Sequence, residues 1–283
     1  LDYYYNERMP ELPEVETIKN ELVPYIKGKR IKDIVIKRKE IIGFPNHKSF
    51  VKKSKGKKII NIRRRGKYLI FELNNGNKLL FHLKLSGRLF LINDLSPDCE
   101  LKYERLRLVL NHQGLSFIEP RMFGRVYLIQ KNIPKQLKGF QELGPEPLER
   151  DFNKTFLKAK LKNRKGKIKS LLLDQRIGCG IGNIYADESL FRAKIHPKRS
   201  GATLSDDEIT RLVRAIKICL KAAIRYKGTT LSDYFRPKGI GGNYASHLLV
   251  KAREGKPCFI CGTLIQREKI SNRSTHFCPR CQK

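Results

Sequence analysis

The chain has 283 residues, with 60 Lys and Arg against 27 Asp and Glu, a formal net charge of +33. That length supports two domains with cores of their own, and no run approaches the roughly 18 apolar residues of a membrane-spanning helix. Such a surplus of positive charge points to a polyanion, most simply DNA or RNA; an anionic membrane would need a basic amphipathic anchor, and none stands out.

In chain order, residues 13–27 read as a helix, with Val15, Ile18, Leu22 and Ile26 on one face. Short alternating or apolar runs follow: Asp33–Arg38, Tyr68–Leu73, Lys78–Leu83, Arg88–Ile92, Arg105–Leu110 and Arg125–Ile129. Turn residues such as Asn74-Asn75-Gly76-Asn77 separate them, the pattern of an antiparallel sandwich. Gly144-Pro145-Glu146-Pro147 reads as a linker. Beyond it come helices over Asp151–Lys160, Gly166–Gln175 and Asn183–Ala193. Ser205-Asp206-Asp207-Glu208 is a capping box opening a long amphipathic helix. Thr229 or Thr230 is expected to cap a further helix, and a strand-and-loop tail begins near 245.

Cys258, Cys261, Cys278 and Cys281 have the C-x2-C-x16-C-x2-C spacing of a tetrahedral zinc ribbon. Four thiolates leave no open position for water, so this zinc is structural. No organic cofactor is expected. Cys99, Cys179 and Cys219 are scattered and read as small apolar residues. His47, His82, His112, His196, His247 and His276 are isolated and read as ordinary core or surface histidines. Arg63, Arg64 and Arg65 read as a solvated basic face. Lys67 opens an apolar strand and can point into a cleft.

Met9-Pro10-Glu11-Leu12-Pro13-Glu14-Val15-Glu16 has two readings. One is a helix start, with Pro13 in the first turn and acidic residues at its positive end. The other is chemical. If translation begins at Met9 and that residue is removed, Pro10 becomes an N-terminal secondary amine able to attack a sugar aldehyde carbon, with Glu11 beside it to move a proton.

This octapeptide resembles the N-terminus of the bacterial formamidopyrimidine-DNA glycosylase family. The resemblance continues through Gly66-Lys67-Tyr68-Leu69, His82-Leu83-Lys84-Leu85-Ser86-Gly87 and Arg121-Met122-Phe123-Gly124. It extends through Leu143-Gly144-Pro145-Glu146-Pro147-Leu148, Gly180-Ile181-Gly182-Asn183-Ile184-Tyr185-Ala186, Gly228-Thr229-Thr230-Leu231 and the four-cysteine tail. It implies an α+β fold: an N-terminal antiparallel β-sandwich with flanking helices over 10–145, a helix–two-turn–helix domain over 146–244, and a zinc ribbon over 245–283. It also implies a monomeric, cytoplasmic base-excision enzyme that acts on damaged double-stranded DNA, removes oxidised purines and cleaves the strand at the abasic site. Pro10 is then the nucleophile, Glu11 the proton donor, Glu14 its support, and Lys67 a contact to the lesion's phosphate. Leu85, Arg121 and Phe123 fill the helix and read the orphaned base; Lys169, Asn183 and Arg273 hold phosphates.

The chain departs from the family pattern in places. Residues 1–8 have no counterpart, and any residue before Pro10 makes its nitrogen an amide. Residues 1–9 are therefore expected to be a mis-assigned start or a removable leader, the initial Leu being a literal reading of a UUG start codon. Leu85 replaces the usual Met, Lys84 stands where Gly is frequent, and Met122 where a basic residue is. Two other readings remain: an endonuclease VIII-type enzyme for oxidised pyrimidines, against which Leu12 speaks, and a binding-only zinc-ribbon protein if residues 1–8 are retained.

Overall fold

The computed structural model describes residues 9–93, 101–230, 236–237 and 239–283. Cys99, the helix expected after Thr230, and Lys238 in the glycine-rich segment lie outside these residues.

Helix α1 (Leu12–Ile26) opens the chain. The first half then alternates strand and turn: β1 (Asp33–Ile36), β2 (Ile42–Phe44), helix α2 (His47–Ser54), β3 (Ile59–Arg65), β4 (Tyr68–Leu73), β5 (Lys78–His82), β6 (Arg88–Ile92), β7 (Glu104–Val109), β8 (Gly114–Ile118) and β9 (Arg125–Ile129). They build two sheets, ordered β1-β7-β8-β6 and β2-β9-β5-β4-β3. The pairing is antiparallel except for one parallel pair, β2 with β9. Inward-facing residues of both sheets, including Phe71, Phe81, Leu106, Leu115 and Phe117, form a common core with Val15, Ile18 and Leu22 of α1. Period-two alternation drives this: in β4, Leu69, Phe71 and Leu73 are buried while the intervening residues are half-exposed.

A short helix α3 (Lys138–Gln141) precedes the linker, and beyond it the second half is helical: α4 (Lys154–Leu161), α5 (Ile168–Leu173), α6 (Asn183–Ala193) and α7 (Asp206–Arg225). Ser205 and Glu208 cap α7 reciprocally, as the sequence predicts. Helix α6 is buried along almost its whole length, and its apolar residues share a second core with those of α4, α5 and α7. Leu12 belongs to this second core, whereas Val15 onward belongs to the sandwich. Helix α1 therefore spans both halves. A hairpin of β10 (Gln266–Ile270) and β11 (Arg273–Phe277) closes the chain.

The basic run before Lys67 departs from expectation. Arg63 is exposed, but Arg64 and Arg65 fasten the halves together. Arg64 is largely buried and ion-paired at 2.7 Å with both Glu16 and Glu146. Arg65 donates to the carbonyls of Leu143 (3.0 Å) and Gly144, while the Gly66 amide donates to Glu146 at 2.7 Å. Two guanidiniums thus grip the linker through its carboxylate and its carbonyls.

Candidate active site

The two ends of the Glu11 side chain belong to different helices. Its backbone starts α1, and its carboxylate sits on the N-terminus of α6. Oε2 accepts the amides of Gly182 (2.9 Å) and Tyr185 (3.3 Å), and Oε1 accepts that of Ile184 (2.8 Å). An anion is favoured at this positive helix end. Residue 182 must be glycine, since a Cβ there would lie 2.3 Å from the Glu11 carboxyl carbon. The amides at this glycine-rich helix start, a common anion site, are taken by the Glu11 carboxylate.

Glu14 is the second buried carboxylate. It accepts from the Glu11 amide (2.9 Å), the Tyr185 hydroxyl (2.6 Å) and the Thr229 amide (2.8 Å). Burial, together with the neighbouring Glu11 charge, pushes its carboxyl up to about 7. Burial raises Glu11 as well, opposed by the positive charge of Lys67 and by the donated amides. A raised carboxyl can hold a proton near neutral pH and deliver it, as a general acid requires.

A cavity of about 360 Å³ opens on Glu11. Glu11, Lys67, Leu85, Asn183 and Arg273 line it, although they come from distant parts of the sequence. Lys67 is only 8% exposed, and burial lowers its ammonium against the support of Glu11 and Glu14. Met9 also lines the cavity, and Pro10 is buried between Met9 and Glu11.

Family models match the chain three times: the formamidopyrimidine-DNA glycosylase N-terminal domain over residues 9–126, the formamidopyrimidine-DNA glycosylase H2TH domain over 143–234, and a zinc finger found in FPG and IleRS over 255–283. A formamidopyrimidine-DNA glycosylase of Pelotomaculum thermopropionicum is 42% identical over 97% of this chain and 99% of its own length. The chain belongs to the formamidopyrimidine-DNA glycosylase family. Among solved structures, the MutM (FPG) protein of Thermus thermophilus is 37% identical with a TM-score of 0.86, covering 96% of this chain and 98% of its own. Lactococcus lactis Fpg bound to abasic-site DNA is 35% identical with a TM-score of 0.88, covering 96% of this chain and 99% of its own. The same Lactococcus enzyme has also been solved with DNA containing an oxidised pyrimidine, at 35% identity and a TM-score of 0.88, covering 97% of this chain and 100% of its own.

Of the residues that the formamidopyrimidine-DNA glycosylase pattern marks, Glu11, Lys67, Leu85, Asn183 and Arg273 line the cavity, and Lys169 does not. That side chain is fully buried on α5, ion-paired with Asp187 of α6 at 2.7 Å. Its Nζ donates to the Ser274 carbonyl (2.9 Å) and the Thr275 hydroxyl (2.8 Å). Lys251 donates to the same carbonyl at 3.2 Å. Burial opposes the Asp187 charge, yet Lys169, Lys251 and His276 bring its carboxyl down to about 2. In this conformation Lys169 holds the ribbon, and the phosphate contact expected of it is not available. Lysine on an interior face is compatible with burial only when paired this way.

Arg273 is exposed and begins β11; it does not sit in a loop. Ser271 and Asn272 form a two-residue turn with both φ angles positive, at 47° and 59°. Such turns match the twist of the hairpin and fix the direction of its first residue. Behind the hairpin, the Sγ atoms of Cys258, Cys261, Cys278 and Cys281 lie within 4.8 Å of one another. This four-thiolate cluster fits one structural zinc. Phe123, at 52% exposure, projects from the β8–β9 segment, and Leu85 and Arg121 are half-exposed nearby in the fold.

The sequence marks His82 only as an isolated core or surface histidine. It is buried in the cavity wall, and burial with the charges of Lys84 and Lys67 pushes its pKa well below the ordinary histidine value. The Lys84 amide donates to Nδ1 at 3.1 Å, so the neutral ring carries its proton on Nε2. Tyr185 and Thr229, which hold Glu14, were unmarked; only their place inside family motifs could have flagged them.

Proposed function

We propose that the protein is a base-excision DNA glycosylase that removes oxidised purines and then cleaves the abasic strand. The observation carrying this reading is the single cavity that gathers Glu11, Lys67, Leu85, Asn183 and Arg273 beside Pro10. The working chain begins at Pro10, because the Met9–Pro10 peptide bond otherwise consumes the nucleophile's lone pair.

The Pro10 amine adds to C1′ of the lesion and displaces the damaged base with its bonding pair. The nitrogen, now positively charged, gives its N–H proton to the departing base, and the lone pair so regained opens the sugar; the C1′–O4′ electrons pass to O4′, which takes the Glu11 proton. The resulting iminium acidifies C2′–H. Loss of that proton expels the 3′ phosphate, and a second elimination expels the 5′ phosphate. Lys67 faces the lesion's phosphate, and Asn183 and Arg273 hold neighbouring phosphates. Leu85, Arg121 and Phe123 occupy the helix vacated by the extruded nucleotide. Zinc takes no part in these steps; it stiffens the hairpin bearing Arg273.

Residues 10–145, 146–244 and 245–283 act as sandwich, helical DNA-binding unit and ribbon, in a cytoplasmic monomer bound to damaged duplex DNA. Among the described residues no helix is long and apolar enough to cross a membrane. The Lactococcus complex with an oxidised pyrimidine supports a damage range that reaches beyond purines. Borohydride trapping tests the central claim. Protein beginning at Pro10 is expected to be captured covalently on abasic DNA, and protein retaining residues 1–9 is not. Efficient capture of the longer form would transfer the nucleophile's role to a lysine, Lys67 first.

A further inference from the structure

Glu119 lies beneath two loops at once. Strands β6 and β8 are antiparallel neighbours with Arg88 opposite Ile118. The segment entering β6 and the segment leaving β8 therefore emerge side by side. The first carries Leu85 and the second Arg121 and Phe123. The Glu119 side chain is fully buried between them. Its Oε1 accepts the Ser86 hydroxyl and, at 3.1 Å, the Arg121 amide; its Oε2 accepts the Gly124 amide at 2.8 Å. Only glycine at 124 permits this approach, since a Cβ there would lie 2.6 Å from Oε2.

The backbone on each side is unusual at matching places. Lys84, just before Leu85, has a φ of 54°, and Met122, just before Phe123, has a φ of 58°. Non-glycine residues rarely adopt this region, and they hold it where surrounding bonds over-determine the chain. In both loops the Glu119 bonds fall within two residues of the strained position.

We infer that Glu119 is a positioning residue that presents Leu85, Arg121 and Phe123 to the DNA as one pre-set unit. It does not touch DNA. The inference rests on the proposed helix-filling role of those three residues and adds what holds them in register. A carboxylate is needed because the two amides sit on different oxygens. A glutamine of the same size has one acceptor oxygen, so its NH2 meets a backbone N–H whichever way it turns.

The test compares proteins beginning at Pro10 on two substrates: 8-oxoguanine paired in duplex DNA, and an abasic site in single-stranded DNA, where there is no helix to fill. Glu119→Gln should slow duplex excision roughly 10- to 100-fold, with single-strand cleavage nearly unchanged. Fluorescence of 2-aminopurine beside the lesion should show the helix-filling step itself delayed. Ser86→Ala removes one of the three bonds and should shift the same ratio less, which keeps the test open if Glu119→Gln folds poorly. Leu85→Ala is the control for the underlying role. A duplex-specific defect in Leu85→Ala with none in Glu119→Gln and Ser86→Ala overturns the inference and leaves the helix-filling reading standing. No duplex-specific defect in any of the three removes that reading too. Equal losses on both substrates in folded Glu119→Gln would mark the residue as merely structural.

Discussion

Glu11 and Ile184 are 173 residues apart in sequence, yet the amide of Ile184 donates to the Glu11 carboxylate at 2.8 Å. The proposed proton donor is thereby also the bond between α1 and α6. Changing it should have two separable effects. Glu11→Gln should cut base excision roughly 100-fold or more, while cleavage of a preformed abasic site persists through Pro10. It should also destabilise the protein by about 1–3 kcal/mol, because the amide cannot accept from both sides of the α6 terminus. Kinetics on the two substrates and a denaturant titration measure each effect. A variant of full stability and normal excision would remove Glu11 from both roles.

Glu14 gives the stability profile a definite sign. Its carboxyl rises from 4.5 to about 7 on folding. Between those values the folded state binds more protons than the unfolded one, so this contribution is fully present below 4.5 and is lost as pH rises through 7. The range corresponds to roughly 3 kcal/mol at most. Denaturation measured from about pH 4.5 to 7.5 should show this falling component in the parent protein. The component should be missing from Glu14→Gln, whatever that variant's absolute stability. Parallel profiles for the two proteins would contradict the assignment.

The clamp between the halves should be cooperative. Arg64→Ala leaves the half-buried Glu16 and Glu146 without their shared cation, although Lys19 and Arg65 still pair with them, and a loss of about 1–3 kcal/mol is expected. Glu146 also holds the Gly66 amide beside Lys67, so Glu146→Ala should weaken lesion binding as well as stability. A double-mutant cycle is the check: the paired substitution should cost clearly less than the sum.

Lys169 and Arg273 should separate in a salt series. Arg273→Ala removes an exposed cation and should lower the salt slope of DNA affinity by about one unit. Lys169→Met takes a buried cation from Asp187, so it should cost stability and loosen the hairpin while barely changing the slope. A full unit of slope lost in a folded Lys169→Met protein would restore the phosphate contact that the structure denies it.

Zinc should be needed for DNA binding, not for folding of the sandwich. Cys258→Ser should lose the metal, whose apparent binding energy in such sites is on the order of 10 kcal/mol. DNA affinity should collapse with Arg273 unanchored while the sandwich core stays cooperative. Metal analysis and tryptic mapping follow the two events.

The readable parts of this fold were those with local causes. The capping box of Ser205 and Glu208, the alternation in β4 and the cysteine spacing each act over a few residues, and each was visible. Strand β3 was not, because its buried residues Ile59 and Ile62 stand three apart across a register shift, which breaks the period of two, and three arginines follow them. Helix α2 is eight residues of mostly polar character, too short for periodicity to show. The site divided in the same way. Glu11, Lys67 and Arg273 carried motif signals, whereas the burial of Lys169 depends on Asp187 and Ser274, which no spacing rule connects to it. The same holds for Arg64 and Arg65, which share Glu146 of the linker some 80 residues later, Arg64 also reaching back to Glu16.

The seating of the Glu11 carboxylate on α6 means that amides which oppose the effect of burial on its acid strength also help to join the two halves. Any shift of α6 away from α1 withdraws those amides and changes the readiness of the acid to release its proton. Opening and closing of the molecule would thus act on the chemistry directly, without a messenger residue in between. An isolated sandwich half would keep Pro10 and Glu11 in its sequence but lack the environment that makes Glu11 an acid suited to the task. The active site is therefore a property of the contact between the halves, and a split version of this chain should regain activity only in proportion to the fraction reassembled.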